Sequence, residues 1–149
     1  MNLAKYISPM AIFIWIGFVC AISFMEAWLK FRAPGITIPL GLGIGNLVFA
    51  ALNKVEWLLA IIIIIQIVLS GAKIFDKQFV FILIPISILI LQTLWLLPAL
   101  DARAQLYIKG VELPPSTLHI WFVVAEIAKV ACLFLFGYKT LKILNTITI

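Results

Sequence analysis

The sequence predicts an all-α polytopic membrane protein, a four-transmembrane-helix bundle with an extra interfacial or re-entrant helix after the first span. Composition is one reason, because 65% of the 149 residues are hydrophobic and 11% are charged, against about 45–50% and about 25% in soluble domains. The mean hydropathy, +1.23, is another. The apolar residues also fall into four runs separated by charged or turn-forming stretches. The length suits one unit, so residues 1–149 are expected to form a single membrane domain.

The first span is expected over residues 7–29. Lys30, Arg32 and the pair Pro34-Gly35 follow it and end a helix there. Because no small-residue cleavage site follows the apolar run, we interpret it as a retained span and not as a secretory signal peptide.

The next stretch, residues 39–54, is apolar but is interrupted by a proline and three glycines. This irregularity predicts a short interfacial or re-entrant helix. Gly41 and Gly45 form a Gly-x-x-x-Gly pair, which is typical of close helix packing.

The remaining spans are expected over residues 56–70, 79–100 and 118–138. Gln92 and Thr93 are polar residues within the third span. The loop before the fourth span is rich in turn residues, and either Ser116 or Thr117 is expected to cap the last helix.

Four spans place both termini on one side of the membrane. Each side then carries five basic residues, but the acidic residues lie mainly on the side opposite the termini. We therefore expect cytoplasmic N- and C-termini and a multi-pass protein of the inner (plasma) membrane. Four tryptophans fall near the opposite side, as an interfacial aromatic belt would: Trp28, Trp57, Trp95 and Trp121.

The net charge of +5 comes from basic residues that flank apolar runs, which is typical of membrane topology signals. A basic patch with interleaved aromatic residues, as in nucleic-acid binding, is not present in the sequence. The expected partners are therefore the lipid bilayer and, in a homo-oligomer, further copies of the chain, with no nucleic acid.

The fourth run contains Glu126 and Lys129 at membrane depth. Ionisable side chains there are costly and usually point into a protein interior or a wet cavity. The placement of the spans brings further polar residues to the end opposite the termini. The sequence therefore predicts a polar pocket at that end, with these candidates: Glu26, Arg32, Asn46, Asn53, Asp101, Arg103, His119, Glu126 and Lys129.

Several functions fit this pocket. Small-molecule or ion binding or transport could use Glu126 and Lys129 as a relay. A membrane enzyme or a metal-binding protein could use His119 and Glu126, since imidazole and carboxylate suit zinc, iron or manganese. A structural or accessory membrane subunit would use the same charges as ion pairs.

For that structural role, the expected pairs are Glu126 with Lys129, Asp101 with Arg103 or Lys30, and Glu26 with Arg32. The two cysteines, Cys20 and Cys132, lie in apolar runs outside any Cys-x-x-Cys pattern and are expected to act as small hydrophobic residues. No motif identifies a reaction or a cofactor.

Three stretches, EAWLKFRAP (26–34), LDARA (100–104) and Leu118-His119, resemble small four-span integral membrane protein families of bacteria that have no settled activity. Those families share a first span, an amphipathic connecting helix and a charged turn before a last span that begins with Leu-His. The resemblance implies a four-helix membrane bundle, and it supports Asp101, Arg103 and His119 as site residues.

Overall fold

The computed structural model describes residues 6–71 and 80–147, and these residues form helices and turns with no strand among them. The helices are α1 (Ile7–Arg32), α2 (Ile38–Leu69), α3 (Phe81–Ile108) and α4 (Leu118–Ile147). The sequence analysis places five basic residues and one acidic residue on the side of the termini. Three of these basic residues (Lys5, Lys73 and Lys77) and the acidic residue (Asp76) lie outside the described residues.

Helix boundaries follow the local sequence. The Thr37 side chain accepts a hydrogen bond from the Leu40 backbone N–H at 3.4 Å, and Pro39 occupies the first turn of α2. Gly35 ends the turn after α1 with a φ of +80°, which side chains other than glycine rarely adopt. At the start of α4 it is the Ser116 hydroxyl that accepts from the Leu118 N–H, at 3.2 Å.

All four helices are long and apolar enough to cross a membrane, as the sequence predicts. The expected separate helix over residues 39–54 is not formed. These residues are the first half of α2, which is continuous over 32 residues. At 1.5 Å per residue α2 is about 48 Å long, which exceeds the roughly 30 Å of a hydrocarbon core.

Close packing explains why the glycines do not break α2. A Cβ added at Gly41 would overlap the Phe31 ring, and one added at Gly45 would lie 3.1 Å from the Lys30 Nζ. The Gly41-x-x-x-Gly45 face of α2 therefore packs directly against the end of α1, as the sequence predicts.

Each helix packs against two neighbours, in the cyclic order α1, α2, α3, α4. The main apolar core lies between them in the half of the bundle nearer the start of α1, and it includes Ile12, Ile63, Leu89 and Leu133.

The outer surface is strongly apolar. Leu47, Leu69 and Leu94 are each 75% exposed, and large hydrophobic side chains are exposed along all four helices. Three charged side chains of the described residues, by contrast, are at most 2% exposed inside the bundle: Glu56, Glu126 and Lys129. Soluble monomers rarely expose contiguous apolar patches larger than a few hundred Å². The combination of exposed apolar side chains and buried charged side chains is the reverse of the one found in soluble proteins.

Candidate functional site

The interior of the bundle holds a group of four polar side chains, which we name the charge cluster: Glu56, Gln92, Glu126 and Lys129. None of the four is more than 2% exposed. Helix α2 supplies Glu56, α3 supplies Gln92, and α4 supplies both Glu126 and Lys129. The charge cluster therefore joins three helices at one point.

Lys129 is the centre of the charge cluster. Its Nζ donates hydrogen bonds to Glu56 Oε1 at 2.5 Å, Gln92 Oε1 at 2.5 Å and Glu126 Oε1 at 2.9 Å. A lysine ammonium has three protons, so all of its donors are used. The expected pair of Glu126 with Lys129 is present, and Glu56 is the second carboxylate on the same ammonium.

The two carboxylates differ in their surroundings. Glu126 accepts hydrogen bonds at both oxygens: Gln92 Nε2 donates to its Oε1 at 2.6 Å, and the Ser23 hydroxyl donates to its Oε2 at 3.3 Å. Glu56 accepts from Lys129 and from the Trp15 indole N–H, the latter at 2.8 Å, and both bonds end on Oε1. Within the described chain, Glu56 Oε2 accepts no hydrogen bond.

Two of the cluster's contacts come from π-helical turns. Ser23 lies within the π-helical segment Cys20–Glu26 of α1, and Gln92 begins the segment Gln92–Leu96 of α3. Such insertions change which face of a helix a side chain occupies, and they are frequent at functional sites. They help to present Ser23 and Gln92 to the bundle interior.

The formal charges of the cluster do not balance. Glu56 and Glu126 supply two carboxylates, whereas Lys129 supplies one ammonium. The side chains that reach the cluster from α1 and α3 are neutral: Trp15, Ser23 and Gln92. With all three ionised, the cluster has one excess negative charge.

The cluster lies deep in the bundle. Lys129 is 11 residues after Leu118, the first residue of α4, which corresponds to a depth of about 16 Å. Half of a hydrocarbon core is about 15 Å. In a bilayer that begins at the start of α4, the cluster would lie near the middle of the membrane.

An open cavity of about 600 Å³, which we name the vestibule, lies between α2, α3 and α4 on the side of the cluster nearer the start of α4. Asn53 and Thr93 are its deepest polar residues, and Asn53 Nδ2 donates to Thr93 Oγ1 at 2.9 Å. Asn53 is three residues before Glu56, and Thr93 directly follows Gln92. The full polar lining is Asn46, Asn53, Lys54, Thr93, Asp101, Gln105 and His119.

Three buried apolar residues lie one helical turn from the cluster, towards the end of the bundle that holds the vestibule. We name these residues the apolar gate: Leu52, Leu96 and Phe122. Each lies four residues, or one helical turn, from a cluster residue on its own helix and on the vestibule side. The opposite side of the cluster is closed by the main core, which extends over several turns of α2 from Leu59 to Ile67. The cluster is therefore closer to the vestibule than to the other end of the bundle.

The structure divides the predicted site residues into separate groups. Glu126 and Lys129 lie in the charge cluster. Asn46, Asn53, Asp101 and His119 line the vestibule, and Asn46 donates to Asp101 Oδ1 at 2.6 Å. His119 also lines a second cavity together with Arg103.

The remaining two candidates, Glu26 and Arg32, line neither cavity. Glu26 forms an ion pair with Lys30 at 3.1 Å, so the expected pairing with Arg32 is wrong. The Arg32 guanidinium lies over the Trp28 ring at 4.7 Å. The expected pairing of Asp101 with Arg103 or Lys30 is also wrong, because among the described side chains only Asn46 bonds to Asp101.

The structure gives no support to a metal site. Among the described residues, no group of three or more histidine, cysteine, aspartate or glutamate side chains is placed to hold a metal ion. His119 is exposed at the start of α4, whereas Glu126 is completely buried against Lys129. No hydrogen bond joins these two side chains in the part of the chain that the structure describes.

Glu56 and Gln92 are the site residues that the sequence analysis leaves out. Glu56 follows Asn53 and Lys54, and this polar stretch resembles the boundary of a span. Glu56 in fact lies near the middle of the continuous helix α2, and the sequence pattern does not show this. Gln92 could have been predicted as a site residue, because it is a strongly polar side chain within the expected third span.

The resemblance to bacterial four-span families stays a prediction, since comparison of the chain with protein-family models, with curated proteins and with solved structures gives no match.

Proposed function

We propose that this chain is a multi-pass membrane protein that transports protons: it binds a proton at the charge cluster, exchanges it with the vestibule, and passes it to the other end of the bundle when the main core opens. Its place in the membrane is supported by four helices of sufficient length and by their exposed apolar surfaces. Its proton-binding role places it in the class of ion-binding and ion-transporting proteins.

The excess negative charge of the cluster carries this proposal. An uncompensated carboxylate inside a membrane protein is costly, and a bound proton removes that cost. We assign the proton to Glu56, because its Oε2 accepts no hydrogen bond from the described residues, whereas both oxygens of Glu126 accept one. Asn53, three residues before Glu56 on α2, is a polar residue of the vestibule close to this carboxyl group along the helix.

A structural role is the second candidate. It is favoured by the hydrogen bonding of the interior, since every fully buried side-chain nitrogen and oxygen of the described residues has a partner. Glu56, whose Oε2 has none, keeps a small exposed fraction. In that role the cluster fixes the register of α2, α3 and α4 and moves no proton.

Proton flux separates the two functions. The full chain is reconstituted into liposomes that contain a pH-sensitive dye, and a pH gradient and a potassium diffusion potential are imposed. We expect wild-type flux above that of protein-free liposomes. Glu56→Gln and Glu126→Gln should both lose it, because each leaves one carboxylate to balance Lys129.

Glu26→Gln is the matched control, because Glu26 pairs with Lys30 outside the cluster, and its flux should equal that of the wild type. Wild-type flux no greater than that of protein-free liposomes would overturn the transport proposal and leave the structural role.

A further inference from the structure

A second cavity, separate from the charge cluster, lies where the loop 109–117 meets the bundle, and we name it the loop groove. Its volume is about 480 Å³, within the usual range of about 300–1,000 Å³ for small-molecule sites. Ile38 and Leu42 from α2 and Leu100 from α3 form an apolar wall. Arg103 and His119 bring polar groups to the same space.

Arg103 has no acidic partner. Its guanidinium donates a hydrogen bond to the Pro114 carbonyl at 2.5 Å, and no carboxylate of the described chain lies within ion-pair distance of it. Asp101, two residues earlier, is held by Asn46 in the vestibule. A guanidinium has five N–H donors, so Arg103 retains donors and a full positive charge for a ligand in the loop groove.

The position of the loop groove suits an amphipathic ligand. Trp28, Trp95 and Trp121 are half exposed near this end of the bundle, as tryptophans are at the level of lipid headgroups. An anionic headgroup at this level would meet Arg103, and its acyl chain would meet the apolar wall.

We infer that the loop groove binds an anionic lipid, with the phosphate group at Arg103 and His119 and an acyl chain along Ile38, Leu42 and Leu100. Arginine binds phosphate through paired N–H donors, and the apolar wall distinguishes a lipid from free phosphate. This inference goes beyond the proposed function: it rests on the proposed place in a membrane but not on proton binding, because the charge cluster takes no part in the loop groove.

The test is lipid retention by the purified full-length protein in native mass spectrometry. The probes are phosphatidylglycerol, phosphatidylcholine and inorganic phosphate, each added at equal concentration. We expect phosphatidylglycerol to be retained at least about tenfold more than phosphatidylcholine, which corresponds to about 1.4 kcal/mol. Inorganic phosphate should not displace it.

Arg103→Gln should reduce phosphatidylglycerol retention to the level of phosphatidylcholine. Arg32→Gln is the matched control, because Arg32 is an exposed arginine at the same end of the bundle that lies on Trp28 and does not line the loop groove. Equal retention of phosphatidylglycerol by Arg103→Gln and Arg32→Gln would overturn the inference. Displacement by inorganic phosphate would also overturn it and would indicate a site for the free anion.

Arg103 also donates a hydrogen bond to the loop at the Pro114 carbonyl, so its replacement can change the loop as well as the ligand site. A second variant therefore tests the loop groove without changing Arg103. Leu42→Trp fills the apolar wall and leaves Arg103 unchanged. It should lose the preference for phosphatidylglycerol, and retention equal to that of the wild type would contradict the lipid assignment.

Discussion

At the scale of single residues, the difference between Glu56 and Glu126 decides how the charge cluster works. Both carboxylates bond to Lys129, but only Glu126 accepts hydrogen bonds at both oxygens within the described chain. Three donors reach Glu126 and two reach Glu56, and this difference supports our proposal that Glu56 is the carboxyl group that holds the proton.

This assignment predicts a difference in chemical reactivity. Carbodiimides react with carboxyl groups in the protonated form, so a hydrophobic carbodiimide should modify Glu56 in wild-type protein and leave Glu126 unmodified. Peptide mapping by mass spectrometry locates the adduct. Lys129→Met should make both carboxyl groups reactive, since it removes the ammonium that Glu56 and Glu126 share. An adduct on Glu126 alone in the wild type would reverse the assignment.

The sequence predicts only part of this cluster. Glu126 and Lys129 stand out because they are three residues apart in an otherwise apolar run, where an unpaired charge would be costly. Their partners Glu56 and Gln92 come from other helices, 73 and 37 residues from Lys129. Such contacts depend on helix rotation and register, which a single sequence does not show.

At the scale of helices, the glycines of α2 have different roles. Gly41 lies against Phe31, whereas a Cβ at Gly43 would have open space around it. We expect Gly41→Ala to lower the free energy of unfolding by about 1–2 kcal/mol, because the added methyl group must displace the ring. Gly43→Ala should raise it by about 0.5–1 kcal/mol, because alanine favours the helix.

Unfolding in detergent mixtures of increasing sodium dodecyl sulfate content measures both variants. A loss of stability of the same size in Gly41→Ala and Gly43→Ala would mean that the contact with α1 does not explain the glycine spacing.

The apolar gate gives a second prediction at this scale. Phe122 and Phe136 are both buried in α4, on opposite sides of Lys129. Truncation of either to alanine should cost about 3–5 kcal/mol of stability. Only Phe122→Ala shortens the path from the vestibule to Glu56, so only this variant should react several-fold faster with a water-soluble carbodiimide at Glu56.

Equal labelling rates at Glu56 in the two phenylalanine variants would show that Phe122 does not limit access from the vestibule. Because both variants remove the same side chain from the same helix, a general loosening of the bundle should affect them alike.

The helices also show why the sequence analysis divides α2 incorrectly. Proline and glycine within residues 39–45 usually indicate irregular structure. Here Pro39 lies in the first helical turn, where its missing N–H has no cost. Gly41 and Gly45 are accommodated by contact with Phe31 and Lys30, which come from α1. The local sequence alone therefore favours a break in α2, whereas the contacts with α1 accommodate a continuous helix.

At the scale of the whole molecule, the bundle is apolar outside and charged inside. The exposed leucines and isoleucines of all four helices can be covered by lipid, and the buried carboxylates Glu56 and Glu126 share the ammonium of Lys129 within the protein. Composition alone predicts this distribution, because 65% hydrophobic residues exceed what a soluble core of this size can bury. Composition does not predict where the vestibule opens.

Four membrane-crossing helices predict that the start of α1 and the end of α4 lie on one side and that the vestibule and the loop groove open on the other. Basic residues number five on each side, and the excess of acidic residues on the opposite side favours the cytoplasm for the first side. In a background with Cys20→Ala and Cys132→Ala, single cysteines at Glu112 and Lys142 can be labelled with a membrane-impermeant maleimide. Glu112→Cys, in the loop before α4, should react in intact cells.

Lys142→Cys, near the end of α4, should react only after the membrane is permeabilised. Labelling of both positions from outside would contradict a membrane crossing by α4, the helix that lies between them. Labelling of Lys142→Cys alone would reverse the orientation and place the vestibule on the cytoplasmic side, so that protons would reach Glu56 from the cytoplasm.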